Sequence, residues 1–552
     1  INFTGGGLVI TTASGRVFSA TGGGTVTVQG AGNTINSTSA TALNVTNTTI
    51  GASGLTFQSI SCGNNTAAAD PTKAIILNTT GSSGGLTVTG TGATDGSGGT
   101  IQFIGERGAD IQSAINITLK NMNFTNANNV SDSGGAGTCD NTANNLSCHG
   151  AIYLRNLTNV ELNNLNVFNT VEQGLNGNNI QTLTITGCRF SNCGNEQFEG
   201  GVKLRELYGT CAITNSEFDD AFDENVEIFN TTTSNALTLN VTGSTFRDNF
   251  DNANGQKGIY VLLENTAGTP NTINIDSCFF RRLKTQGATI HPRGGTTNIN
   301  ITDSEFNKDT KKFMAGVEIV SSNSAVANIN ILRNTLPGMA GGSAILVQGN
   351  NNSTFQARIN TNTIVGPNSC TDRVAGGGET PACNCFGDGI VVWATNNSSG
   401  KVEIMTNNIS GIDDSGRGIY VLARNEADLN AKVTGNTISV ASDAWFAIDA
   451  FCGPTDAGKA SLLCVQVASN SAGSPPLFAH FRARASNAGS TVNLQGLGAN
   501  ITDYWNNNSN TPGTGSGGIV TSSTSGGGVV AFGQTCSLAL SHPSALMVTE
   551  DQ

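Results

Sequence analysis

Residues Ile185–Phe246 carry one six-residue phrase three times: ITGCRF (Ile185–Phe190), ITNSEF (Ile213–Phe218) and VTGSTF (Val241–Phe246). Each copy places an aliphatic residue first, a small residue fourth and phenylalanine sixth. The copies are spaced by about 28 residues, within the range of solenoid repeats. Towards the N-terminus the phrase returns as Leu119–Phe124 (LKNMNF) and Leu162–Val167 (LNNLNV). Towards the C-terminus it returns as Ile275–Phe280, Ile301–Phe306, Ile331–Leu336, Ile359–Ile364, Ile404–Ile409 and Val433–Ile438. Between copies lies a second short strand led by a small residue: AIYL (Ala151–Leu154), GVKL (Gly201–Leu204), GIYV (Gly258–Val261), GVEI (Gly316–Ile319), GIVV (Gly389–Val392) and GIYV (Gly418–Val421).

Alternation of period two marks strands with one buried face. A unit of short strands and Gly/Asn turns cannot bury its apolar face alone. Stacking equivalent strands at roughly 4.8 Å per coil does bury it. The expected fold is therefore all-β, a right-handed parallel β-helix with about three strands per coil. The fourth position of the phrase runs Cys188, Ser216, Ser244, Cys278, Ser304, then Asn334, Asn362, Asn407 and Asn436. The asparagines are predicted to stack in one inward column, bonding from coil to coil at a bend where they tolerate left-handed backbone. Phe190, Phe218, Phe246, Phe280 and Phe306 are predicted to form an aromatic stack inside the tube.

Composition agrees with that reading. Only 12% of residues are charged, against about 25% in an ordinary domain, while β-branched residues recur throughout. The net charge of −12 and a pI near 4.8 leave no basic stripe for nucleic acid. No apolar run reaches the ~18 residues of a membrane helix. Residues 1–110 read as Gly/Thr-rich coils, 111–450 as regular coils with insertions near 126–149 and 366–388, 451–510 as terminal coils or a cap, and 511–552 as a Gly/Ser linker with a strand-like tail. The tail either lends a strand to a neighbour's open edge or folds back on its own solenoid. The chain opens Ile1-Asn2-Phe3 without a Met or a signal peptide, as a processed or excised chain would.

Thirteen cysteines are present. Those in insertions suggest loop disulfides in an oxidising compartment: Cys139 with Cys148, Cys370 with Cys383 or Cys385, and Cys452 with Cys464. The densest acidic group is Asp219, Asp220, Asp223 and Glu224, with Glu227 nearby. Sugar hydrolysis needs two carboxylates at a fixed separation. The Asp219-Asp220 pair is followed by no Gly-His-Gly and no Arg-Ile-Lys, and His291, His480 and His542 join no acidic or nucleophilic partner in a known motif. The expectation is a solvated charge ladder, no catalytic residue and no cofactor, with Ca2+ as the ion those oxygens would suit. Among Trp393, Trp445 and Trp505, the first pairs best with Tyr420 as a sugar-stacking platform, because both sit in equivalent second strands.

The stretches GLVITTASG (Gly7–Gly15), ALNVTNTTIGASGLTFQSI (Ala42–Ile60), GSSGGLTVTG (Gly81–Gly90) and GGTIQ (Gly98–Gln102) resemble the large secreted bacterial right-handed parallel β-helix or β-strand repeat proteins, presumed adhesins. The resemblance covers roughly residues 5–500 and implies a bacterial protein, secreted or at the cell surface. Two function classes follow. One is a structural or adhesive solenoid, a self-associating filament subunit or a binder of surface glycans. The other is a carbohydrate-binding or polysaccharide-cleaving β-helix, lyase or tailspike-like. A sheet face combining carboxylates, Arg/Lys and exposed aromatics would favour the second.

Overall fold

Each copy of the six-residue phrase turns a corner between two strands. In the copy at Ile185–Phe190, the strand Leu175–Thr186 ends at the second position and the strand Arg189–Cys193 begins at the fifth. The third residue takes left-handed backbone: Gly187, Asn215 and Gly243 at φ 62°, 49° and 60°, and Arg333, Thr361 and Thr406 at 57°, 58° and 51°. Threonine is sterically disfavoured in that conformation, so the residue beside it must hold the corner. That neighbour is the fourth residue, and the asparagines there keep ordinary backbone, contrary to the expectation from sequence.

The computed structural model describes residues 1–15, 17–64, 71–131, 149–196, 198–232, 234–248, 257–266, 268–307, 315–337, 342–366, 387–412, 416–442, 444–453, 459–473, 477–511, 520–525 and 527–540. The chain is a parallel β-helix. It divides into two units, Ile1–Val261 and Leu262–Gln552.

In the first unit, long strands run through two of the three sheets: Arg107–Lys120, Gly150–Asn163, Leu175–Thr186 and Val202–Thr214. They bend at stacked left-handed residues, Ser113, Asn156, Asn179 and Glu206. Asn179 donates to the Asn156 side chain at 2.9 Å, and Asn159 to Asn116 at 2.8 Å. The inward column Ala109, Ile152, Leu175, Val202, Val226 is completely buried. On the third sheet, Phe190, Phe218 and Phe246 stack nearly parallel, with centroids 5.5 and 5.2 Å apart. The inward aromatic column is thus present, and in the second unit Phe280 and Phe306 stack at 4.6 Å.

The second unit builds its coils from three separate strands, such as Ala315–Ser321, Val326–Leu332 and Thr335–Pro337. Its corner column is the asparagine ladder. The backbone N–H of Asn334 donates to the Asn362 side chain at 2.9 Å, Asn362 to Asn407 at 3.0 Å and Asn407 to Asn436 at 3.0 Å. Each Nδ2 also donates backwards, from Asn334 to the Ile301 carbonyl and from Asn362 to that of Ile331, both at 2.9 Å. The corner N–H has no place in a strand ladder and would otherwise be a buried orphan. Ser and Cys do the same at other corners: Cys188 N–H donates to Ser216 Oγ at 3.1 Å, and Ser216 N–H to Ser244 Oγ at 3.2 Å. Asn470 and Asn510 extend the ladder by two further rungs.

Its last coils are closed by the helix Ile501–Asn507, capped by Asn500, whose side chain accepts the N–H groups of Thr502 and Asp503. Trp505 and Tyr504 are fully buried against the inward Phe481. Trp505 is therefore a core residue, not a sugar platform. The tail folds back: Val520–Ser525 pairs in parallel with Ala479–Ser486, and Val529–Phe532 with Thr491–Leu494. A disulfide joins Cys464 to Cys536. The Cys452–Cys464 pairing expected from sequence is wrong, because the two side chains lie on opposite faces of their strands. Cys452 continues the inward column of Ala423 and Ala485, with a free thiol against the Ser461 carbonyl, whereas Cys464 follows outward Asn430. Cys139, Cys148, Cys370, Cys383 and Cys385 lie outside the described residues.

Candidate functional site

One sheet of the second unit contains the strands Ile390–Thr395, Arg417–Arg424, Phe446–Cys452 and Ala479–Ser486. Strand alternation sends Ile390, Val392, Ile419, Val421, Ile448 and Ala450 inward, where all are buried. The intervening residues form two outward columns. In register, one reads Val391, Tyr420, Asp449, Arg482, and the other Trp393, Leu422, Phe451, Arg484. Trp393 and Tyr420, paired from sequence, lie on adjacent strands of this one face, one in each column.

The first column is a closed ionic unit. The Asp449 carboxylate is fully buried and accepts from Arg417 Nε at 3.0 Å and from Arg482 Nε and Nη2 at 2.8 and 2.6 Å. Both guanidiniums also lie on aromatic rings. Arg417 is 4.1 Å from the Tyr420 centroid and 5.0 Å from that of Trp445, and Arg482 is 4.0 Å from that of Phe446. Burial pushes the Tyr420 hydroxyl up to about 12, with the Asp449 charge adding to it. Burial likewise holds the Asp388 carboxyl up at about 6 although Arg417 faces it at 3.4 Å. Phe478, 54% exposed, extends the aromatic surface beside Trp445 and Phe446.

The second column is built differently. Arg424 packs its guanidinium 5.6 Å from the Trp393 ring and 5.4 Å from the Phe451 ring. Arg484 lies 4.8 Å from Phe451. The sequence Trp393, Arg424, Phe451, Arg484 is thus an alternating stack of rings and cations. Among the described residues neither arginine has an ion-pair or side-chain hydrogen-bond partner, and Arg424 Nε and Trp393 Nε1 are donors without acceptors.

In the first unit the corresponding face carries the column Asp110, Tyr153, Asn176, Lys203, Glu227. Its charges are paired and buried: Asp110 with Lys73 at 2.6 Å and Arg107 at 3.2 Å, and Lys203 with Glu227 at 3.2 Å. Lys257 pairs with Glu224 at 2.7 Å. Glu199 accepts the N–H groups of Asn195 and Glu196 at 2.7 and 3.0 Å, and Asp223 accepts that of Phe198 at 2.8 Å. Burial, then the hydrogen bond shared with Glu172, pushes the Glu199 carboxyl up to about 9. Burial, then the Glu224 charge, pushes Asp223 up to about 8. These carboxyls hold the backbone of Asn195, Glu196 and Phe198.

The acidic group read from sequence therefore divides. Asp223, Glu224 and Glu227 join the buried network, while Asp219 belongs to a surface ladder with Arg189 at 3.0 Å and Arg247 at 3.8 Å. Asp220 takes the left-handed corner position. Among the described residues no three His, Cys, Asp or Glu side chains are set to hold a metal ion. His291, left without an acidic partner by the sequence, sits 3.3 Å from Glu318. Sequence reasoning missed Arg424, Phe451 and Arg484, although strict alternation in AHFRARAS (Ala479–Ser486) already sets Arg482 and Arg484 outward.

Fold and face together define a parallel β-helix with an outward aromatic–arginine surface. No protein-family model, curated protein or solved structure matches the chain.

Proposed function

We propose that this protein is an extracellular adhesive β-solenoid that binds carbohydrate through the outward face of its second unit. The observation that carries the reading is the gathering of Trp393, Tyr420, Trp445 and Phe478 with four arginines on one sheet, in a chain with only three Trp and five Tyr. Sugar rings present apolar C–H faces that stack on aromatics, and their hydroxyls suit fixed polar groups. The Cys464–Cys536 disulfide supports an oxidising compartment. A rigid solenoid supplies many rungs on which such a surface keeps its shape.

The test is a panel of polysaccharides bound to the intact chain, read by quenching of tryptophan fluorescence and by affinity electrophoresis. Binding is expected, and Trp393→Ala should weaken it by about tenfold. A panel with no ligand, or unchanged binding by Trp393→Ala and Trp445→Ala alike, would overturn the reading.

A further inference from the structure

We infer that the glycan is acidic, a polysaccharide bearing uronate carboxylates, and that Arg424 and Arg484 are the groups that read it. This rests on the carbohydrate reading above and narrows it to a substrate class.

Most of the other arginines in this protein are paired with acids. Arg107, Arg189, Arg247, Arg293, Arg333, Arg358, Arg417 and Arg482 each have a carboxylate within reach. With 39 acidic residues against 27 basic ones, counter-ions are abundant. Two guanidiniums left without an acid on a single face, among the described residues, therefore stand apart from the pattern. Both are held by ring faces: Arg424 between Trp393 and Phe451, and Arg484 on Phe451. Stacking fixes the plane of a guanidinium and leaves its edge donors to an incoming partner. A planar carboxylate matches that edge with two parallel hydrogen bonds.

The spacing adds a second constraint. Arg424 and Arg484 lie on strands two coils apart, roughly 10 Å along the solenoid. A small monoanion meets one of them, whereas a chain with an acid on its sugars can meet both, with Trp393 beside the first as a surface for a pyranose ring. The neighbouring column contributes no competing attraction, because Arg417 and Arg482 are already committed to Asp449. The net charge of −12 disfavours a polyanion at long range. At physiological salt, screening over about 8 Å lets the local arginine pair decide.

The experiment compares three polymers on the full-length protein: polygalacturonate, the same polymer with its carboxyls reduced to alcohols, and dextran sulfate. Binding is followed by isothermal titration at low and physiological salt. The inference expects polygalacturonate to bind at physiological salt and the reduced polymer to bind at least about tenfold more weakly. Arg424→Gln with Arg484→Gln should remove the preference for the acidic polymer, and Arg424→Lys, which keeps charge without the planar fork, should lie between. Arg189→Gln, on the surface ladder of the first unit, should change nothing. Unaltered thermal unfolding of the variants separates lost recognition from lost fold. Equal, Trp393-dependent binding of polygalacturonate and its reduced form would overturn this inference while leaving the carbohydrate reading intact. Preference for dextran sulfate, or binding of polygalacturonate unaffected by the arginine variants, would overturn it as a non-specific polyanion effect. Absence of binding to all three would overturn it together with its basis.

Discussion

The outward faces of equivalent strands are built on opposite principles in the two units. In the first, Asp110, Lys203, Glu224 and Glu227 each meet an opposite charge and are buried. In the second, a matched set (Asp388, Arg417, Asp449, Arg482) stands beside two arginines, Arg424 and Arg484, that face rings. Buried charge that is fully matched fixes a structure and offers a ligand little. Cations held in place by aromatic rings, without a carboxylate, are the ones proposed above to meet a ligand. The difference lies in what accompanies the strands, since inward positions in both units are filled by the same aliphatic columns.

The largest effect should come from cutting a matched set. Asp449→Ala leaves Arg482 without its acid and Arg417 with Asp388 alone, and should cost about 3–5 kcal/mol. Arg484→Gln, in the other column, removes one ring contact and should cost about 1 kcal/mol or less. Similar losses in thermal or denaturant unfolding for the two variants would erase the distinction between the columns.

The next effect belongs to the corner. Asn362→Ala removes the acceptor for the Asn334 N–H and the donor to the Ile331 carbonyl, and should cost about 1–3 kcal/mol. Asn362→Ser, which copies the Ser216 and Ser244 corners, should recover part of that loss. A serine variant no better than alanine would mean that the two kinds of corner are not equivalent.

A further effect is one of pH and comes mainly from the first unit. Glu199 and Asp223 are held protonated in the fold, up to about 9 and about 8, well above free carboxyl values. A carboxyl raised in this way adds stability that is complete below its unfolded pKa and is lost as pH rises through the folded value. Melting temperature should therefore decline between about pH 4 and pH 9. Glu199→Gln keeps the bonds to Asn195 and Glu196 and should flatten that decline. A variant with the wild-type slope would show that Glu199 is not the titrating group.

The fold was legible because one physical need recurs in every coil. A left-handed residue followed by a side chain that accepts an orphan N–H writes itself as x-Asn-Thr or x-Ser-x at fixed spacing. Asn470 and Asn510 escaped notice because Ala472 replaces the large sixth residue and a helix precedes Asn510. Ser469-Asn470-Ser471 and Ser509-Asn510-Thr511 nevertheless keep the central signal. The site was legible only in part. Trp393 and Tyr420 stood out by residue type, whereas Arg424, Phe451 and Arg484 become neighbours only once register is known. The Cys464–Cys536 bond was hidden for a related reason: proximity in sequence favoured Cys452, and strand parity rules it out.

The most direct test of the central claim is a crystal structure of the full chain with a galacturonate oligosaccharide. The account predicts a sugar ring against Trp393 and a carboxylate in hydrogen-bond contact with Arg424 or Arg484, with the Arg417–Asp449–Arg482 set undisturbed. An oligosaccharide seated on the first unit's charged face, or on the second unit without contact to either arginine, would contradict it.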